Sequence, residues 1–146
     1  MSERVRPIGI NHVALEVEDL EEAVAFYQQI LDVRQVEREP GMAFLDLGDQ
    51  FIALTEGRRA RGNELRHFGL VVEDKDALRA RLRDVGVRIL PGPRLDFYDC
   101  SGNRVQAVDY RDIKFTKTDS VLRGMGIVEV TKHPEAVREL RDAGLT

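Results

Sequence analysis

The sequence predicts an α+β fold made of two copies of one strand, helix and three-strand unit, followed by a helical tail. Two observations carry this. Residues 12–19, HVALEVED, return as HFGLVVED at residues 67–74, with five of eight positions identical at a spacing of 55. Each copy is followed by an apolar pattern of helical period, and then by short alternating segments divided by turn residues.

In the first unit the alternation from His12 to Val17 predicts a strand, and Asp19 is a suitable N-cap for a helix after it. Leu20, Val24, Tyr27, Ile30 and Leu31 then recur at helical spacing, while Glu21 and Glu22 fall in the first turn, where the helix dipole favours negative charge. Strands are expected around 33–39, 43–47 and 51–55, with Gly48-Asp49 as the turn before the last. In the second unit Leu78, Leu82 and Val85 mark the helix and Gly86 its stop. Strands are expected around 87–90, 94–98 and 104–110, with a tight turn at Ser101-Gly102-Asn103. A polar, arginine-rich linker, 57–66, separates the modules at about 8–56 and 67–110, and a tail, 111–146, ends in a helix opened by Pro134 and closed by Gly144. All of this reads as a single domain over 1–146.

Composition narrows the function. A chain of 146 residues, 42% hydrophobic and 33% charged, buries enough surface to fold without disulfides or a structural metal. Its one cysteine, Cys100, has no intrachain partner, which fits a reducing compartment. The net charge of -4 argues against a nucleic acid or an anionic membrane as partner. Neither a signal-peptide core nor an apolar run of membrane-spanning length is present, so a cytoplasmic protein is expected.

Three segments carry a family resemblance: HVALEVEDLEEAVAFY opens the first module, HFGLVVED opens the second, and FYDCSGNRVQAVDY closes it. In that order and spacing they resemble the vicinal oxygen chelate superfamily of glyoxalase-like, bleomycin-resistance-like and extradiol-dioxygenase-like proteins, over about residues 8 to 110. The last segment looks like the family's aromatic-x-Asp-Pro-x-Gly-Asn turn, with Cys100 in place of proline. The resemblance implies that two βαβββ modules form one cupped mixed sheet, with a metal or ligand on its concave face, and that the protein is a homodimer.

Strand alternation then sorts the side chains. With Val13, Leu15 and Val17 toward the helices, His12, Ala14 and Glu16 face the cup. His67, Gly69 and Val71 face it from the matching strand, as do Phe51, Ala53 and Thr55 on one closing strand and Arg104, Gln106 and Val108 on the other. By analogy Phe97 rather than Tyr98 faces the cup. The family's four ligand positions fall on His12, Ala53, His67 and Gln106, and alanine ligates nothing. A divalent ion would therefore rest on His12, His67 and Gln106, where a neutral amide replaces the carboxylate of the extradiol pattern. Glu16, Phe51, Thr55, Phe97 and Arg104 are the expected substrate-pocket residues.

Two functions are implied by the resemblance. One is a divalent-metal-dependent lyase, isomerase or dioxygenase acting on a small oxygen-bearing substrate, with no organic cofactor. The other is a non-catalytic binding protein for a drug or metabolite, of the bleomycin-resistance type. Glu16 at a position that is basic in glutathione-using members points away from glutathione and toward a cationic or hydroxylated ligand. The arginines Arg58, Arg59, Arg61 and Arg66 are read as a solvated linker, and Cys100 as unreactive.

Overall fold

In the computed structural model, which describes residues 2–31, 33, 35–57, 66–98 and 104–146, the longest strand, β1 (Pro7–Val17), lies at the centre of one mixed sheet. It leads into α1 (Leu20–Ile30), β2 (Val36–Glu39), β3 (Met42–Asp46) and β4 (Phe51–Glu56). The second copy supplies β5 (His67–Val72), α2 (Lys75–Asp84), β6 (Leu95–Tyr98) and β7 (Arg104–Asp109), and the tail adds α3 (Asp119–Gly124) and α4 (Pro134–Asp142). The sheet has seven strands in the order β2-β3-β4-β1-β5-β7-β6. β1 and β5, the repeated strands, pair antiparallel, and each pairs parallel with the closing strand of its own module.

Local chemistry explains the elements. Asp19 and Asp74, equivalent in the repeat, cap α1 and α2 by accepting from the backbone N–H of Glu22 and Ala77. Gly86 takes the left-handed conformation, φ 77°, that ends α2. Segment 87–90 departs from the expected strand and makes only an isolated bridge, Ile89 to Phe97. Pro91 and Pro93 come at once after it, and a residue without an N–H cannot extend a ladder. The predicted turn at 101–103, together with Cys100 and Arg58, Arg59 and Arg61, lies outside the described residues.

The two faces of the sheet bury different things. On one, α1 packs Leu20 and Val24 against Ala43, Leu45 and Leu54, and α2 packs Leu82 against Leu95 and Ala107. Val13 and Leu15 share this face as expected, yet remain 39% and 37% exposed. The helices lie over β3, β4 and β7, leaving the central strand uncovered between them. On the opposite face the tail returns, and Tyr110, Phe115, Leu122 and Ile127 bury Ile8 and Val71. Lys132 ties the tail down by donating to the carbonyls of Tyr110 and Ile113 at 2.5 and 2.7 Å.

Candidate metal centre

An irregularity in β1 creates the centre. Its register against β5 shifts between Ile10 and His12, so that Asn11 is an extra residue opposite the Leu70–Gly69 step. A bulge of this kind bends the strand and redirects a side chain. Here consecutive residues, Asn11 and His12, are both buried, at 6% and 5% exposure, and Asn11 Oδ1 lies 2.8 Å from His12 Nδ1. An amide oxygen only accepts, so Nδ1 carries the proton and the lone pair is left on Nε2.

Three neighbours then fix the ring. Phe51, opposite His12 on β4, stacks on it with centroids 4.7 Å apart and planes 4° from parallel. Below it on β5 lies Gly69, where a Cβ would stand 2.0 Å from the imidazole. Only glycine leaves the ring its place. His67 approaches edge-on, with Nε2 3.2 Å from Nε2 of His12. Since His12 presents a lone pair there, His67 donates in this arrangement. Gln106, buried and beside Gly69 on β7, adds an amide to the surroundings of the ring. Burial pushes His12 down to about 4, aided by neighbouring His67 and opposed by the Gln106 side chain. The ring is therefore neutral near pH 7.

The donors fit a divalent ion. Two nitrogens about 2.0–2.1 Å from one metal, roughly 90–109° apart, are separated by about 2.8–3.4 Å, and the histidine pair at 3.2 Å falls within this spacing. An anchored Nδ1–H is also the usual support of a ligating imidazole. Among the described residues no three His, Cys, Asp or Glu side chains converge as a ready cluster. Ala53 faces Ala14 and contributes no donor.

The other expected pocket residues divide. Phe51 joins the centre. Glu16 and Thr55 pair with each other further along β1 and β4, with the Glu16 carboxylate against Gly57. Four residues separate Glu16 from His12, roughly 13 Å of strand. Arg104 donates through Nε and Nη2 to Oδ2 of Asp96 at 2.9 and 2.7 Å. Phe97 requires correction: it packs on the helix face with Leu82, Leu95 and Ala107, and Asp96 and Tyr98 take the opposite side. Leu95 is fully buried under α2, and alternation from it fixes the parity of the strand.

Asn11, Gly69 and Asp96 join the centre without having been expected as functional residues. Asn11 precedes the repeated histidine directly, but only the bulge turns it inward. Gly69, in the repeat position of Ala14, carried a signal in its small size. Asp96 was obscured by the misassigned Phe97 beside it.

A cleft of about 1340 Å³ opens next to the centre. Asn11, Phe44, Phe51 and Phe115 line it, as do Glu139 and Asp142 of α4, whereas His12, His67 and Gln106 do not. Glu37, Glu39, Asp46 and Asp49 make the lining acidic, with Lys114 as its described cation. A smaller cleft of about 710 Å³, under the N-terminal arm beside Glu73 and Arg81, contains none of the expected site residues.

A mixed sheet built from a repeated strand-helix-strand unit, three strands after the helix in the first copy and two in the second, points to a class of proteins, and the family model agrees. Residues 9–108 match the Glyoxalase/Bleomycin resistance protein/Dioxygenase superfamily, and the chain belongs to it. Among curated proteins it is similar to a metallothiol transferase FosB of Bacillus licheniformis, 28% identical over 91 residues, covering 58% of this chain and 59% of that protein. A FosB of Staphylococcus saprophyticus is 30% identical over 97 residues, covering 62% and 64%. The matched region thus spans about three-fifths of the length of these relatives. Among solved structures, a variant of Streptomyces coelicolor methylmalonyl-CoA epimerase bound to 2-nitronate-propionyl-CoA superposes with TM-score 0.54 at 26% identity, over 68% of this chain and 95% of that one. The Mycobacterium tuberculosis epimerase, 22% identical with TM-score 0.53 over 69% and 87%, shares the fold. Among the described residues no helix is long and apolar enough to cross a membrane.

Proposed function

We propose that this chain is a divalent-metal-dependent enzyme acting on a small oxygen-bearing substrate, with His12, His67 and Gln106 holding the ion. The observation that carries this reading is the 3.2 Å approach of two Nε2 atoms, one of them on a ring whose Nδ1 is committed to Asn11. Similarity to proteins named metallothiol transferases supports a metal. When bound, the ion supplies Lewis acidity, polarising substrate oxygens.

The chain's own residues do the rest. Phe44 and Phe51 offer an apolar wall beside the centre. The acidic lining of the cleft raises the local concentration of cations and repels anions, which favours a neutral or cationic substrate. Neither closing strand presents a carboxylate at the family's ligand positions, since these hold Ala53 and Gln106. That absence favours the second reading, a module that sequesters a small molecule without chemistry. We also propose a cytoplasmic homodimer, for which the exposed β1 stripe of Ile10, Val13 and Leu15 is an available apolar face. Sedimentation at micromolar concentration tests the dimer, and a monomer throughout contradicts it.

Incubation with a panel of dicarbonyls, catechols and hydroxy acids separates the two functional readings. The enzyme reading expects at least one substrate to be converted, with turnover lost to EDTA and restored by Mn²⁺ or Fe²⁺. Binding of panel members without conversion under every metal condition supports the sequestering reading instead.

A further inference from the structure

Among the described residues a single buried side-chain oxygen or nitrogen has no hydrogen-bond partner, and it is Oδ1 of Asp96. The residue is 4% exposed. Asp96 receives two bonds from Arg104, both at Oδ2, which fixes the carboxylate and leaves Oδ1 without a partner. Folding gains nothing from a desolvated acceptor in this condition. A donor that is not part of the chain is therefore expected to meet it.

Its position says what kind. Asp96 pairs with Gln106, Gln106 with Gly69, and Gly69 with His12, so all four lie in one row across β6, β7, β5 and β1 on the same face. The His12 ring extends over Gly69 along this row. His12, His67 and Gln106 are neutral donors, and a dication among them gains no compensating charge. That set contains no carboxylate, and Asp96 stands one strand beyond Gln106.

We propose that Asp96 is the counter-charge of this centre, its free Oδ1 receiving the hydrogen bond of a water or substrate hydroxyl that occupies the site together with a divalent ion. This rests on the reading that His12, His67 and Gln106 hold that ion. Arg104 tempers the charge and holds the carboxylate in place. A plain structural ion pair would require neither a free oxygen nor a place in this row.

Titration calorimetry with MnCl₂, alongside thermal unfolding of the metal-free protein, tests this. Asp96→Asn is expected to weaken Mn²⁺ binding about 10- to 100-fold, the usual range for a group one step behind the ligands. Arg104→Gln leaves the carboxylate less neutralised and is expected to tighten binding severalfold. These opposite signs are the signature, because a structural pair lowers the melting temperature in both variants and moves Mn²⁺ affinity in neither. If Asp96→Asn does not fold, Arg104→Gln decides alone, and weaker or unchanged binding overturns the proposal. Unchanged affinity in folded Asp96→Asn also overturns it, while the metal reading stands. A wild-type protein that takes up no Mn²⁺ overturns both.

Discussion

Nε2 of His12 and Nε2 of His67 lie 3.2 Å apart across the seam where β1 pairs with β5. The two residues occupy the same position in the two repeat copies, so the pairing of two like strands brings two like side chains together. Neither copy alone contains the site. The ring of His12 is fixed by Asn11, Phe51 and Gly69, which makes His12 the rigid member of the pair.

Gly69 is the most sensitive backbone position. A methyl group at Gly69→Ala would stand 2.0 Å from the His12 ring, so the ring must swing away and the histidine pair must open. Mn²⁺ affinity measured by calorimetry is expected to fall at least tenfold while the circular dichroism spectrum persists. Full affinity in this variant would show that the ring's place over β5 is immaterial.

Asn11 sets the tautomer of His12 through the 2.8 Å contact at Nδ1. Asn11→Leu removes the acceptor and leaves a buried N–H unsatisfied, costing about 1–3 kcal/mol. The melting temperature should fall, and metal affinity with it by about 10- to 100-fold. Asn11→Asp should keep the affinity or raise it, because a carboxylate strengthens the same hydrogen bond.

Gln106→Glu restores an anionic donor where this chain has an amide. Divalent affinity is expected to rise by about tenfold, because an ionised carboxylate compensates the ion's charge and an amide does not. Calorimetry reads this directly, and a fall in affinity would place Gln106 outside the ligand set.

The metal-free protein should lose stability in acid. His12 titrates at about 4 when folded, against 6.5 unfolded, so between these values the unfolded chain holds a proton that the folded chain does not. Stability from this group is complete above pH 6.5 and declines as the pH falls to about 4, by of order 3 kcal/mol at about 1.4 kcal/mol per unit. Denaturant midpoints between pH 7 and 4 measure it, with His12→Gln as the control that flattens the decline. The same slope in both proteins would assign the effect elsewhere.

Much of this arrangement was legible in the sequence. The repeat located both histidines, helical spacing with the Asp19 cap and the Gly86 stop located both helices, and period-two alternation placed Gln106 and Phe51 on the same face as His12. Alternation misled where the ladder is irregular. It takes no account of the bulge at Asn11, which adds a residue to β1 and puts Ile10 on the helix side opposite Leu70. It also offers no choice between Phe97 and Asp96, since either parity suits a short strand until Leu95 is seen buried under α2. The orphaned oxygen of Asp96 depends on where Arg104 places its two donors, and that is a property of packing alone.

The central claim is that the histidine pair is a metal site, and metal stoichiometry tests it most directly. Protein purified without a chelating tag, stripped and then titrated with Mn²⁺, Co²⁺ and Zn²⁺, should take up one ion per chain, and the His12→Ala/His67→Ala double variant should take up none. Wild-type protein that binds no divalent ion, or a double variant that retains one, would contradict the account.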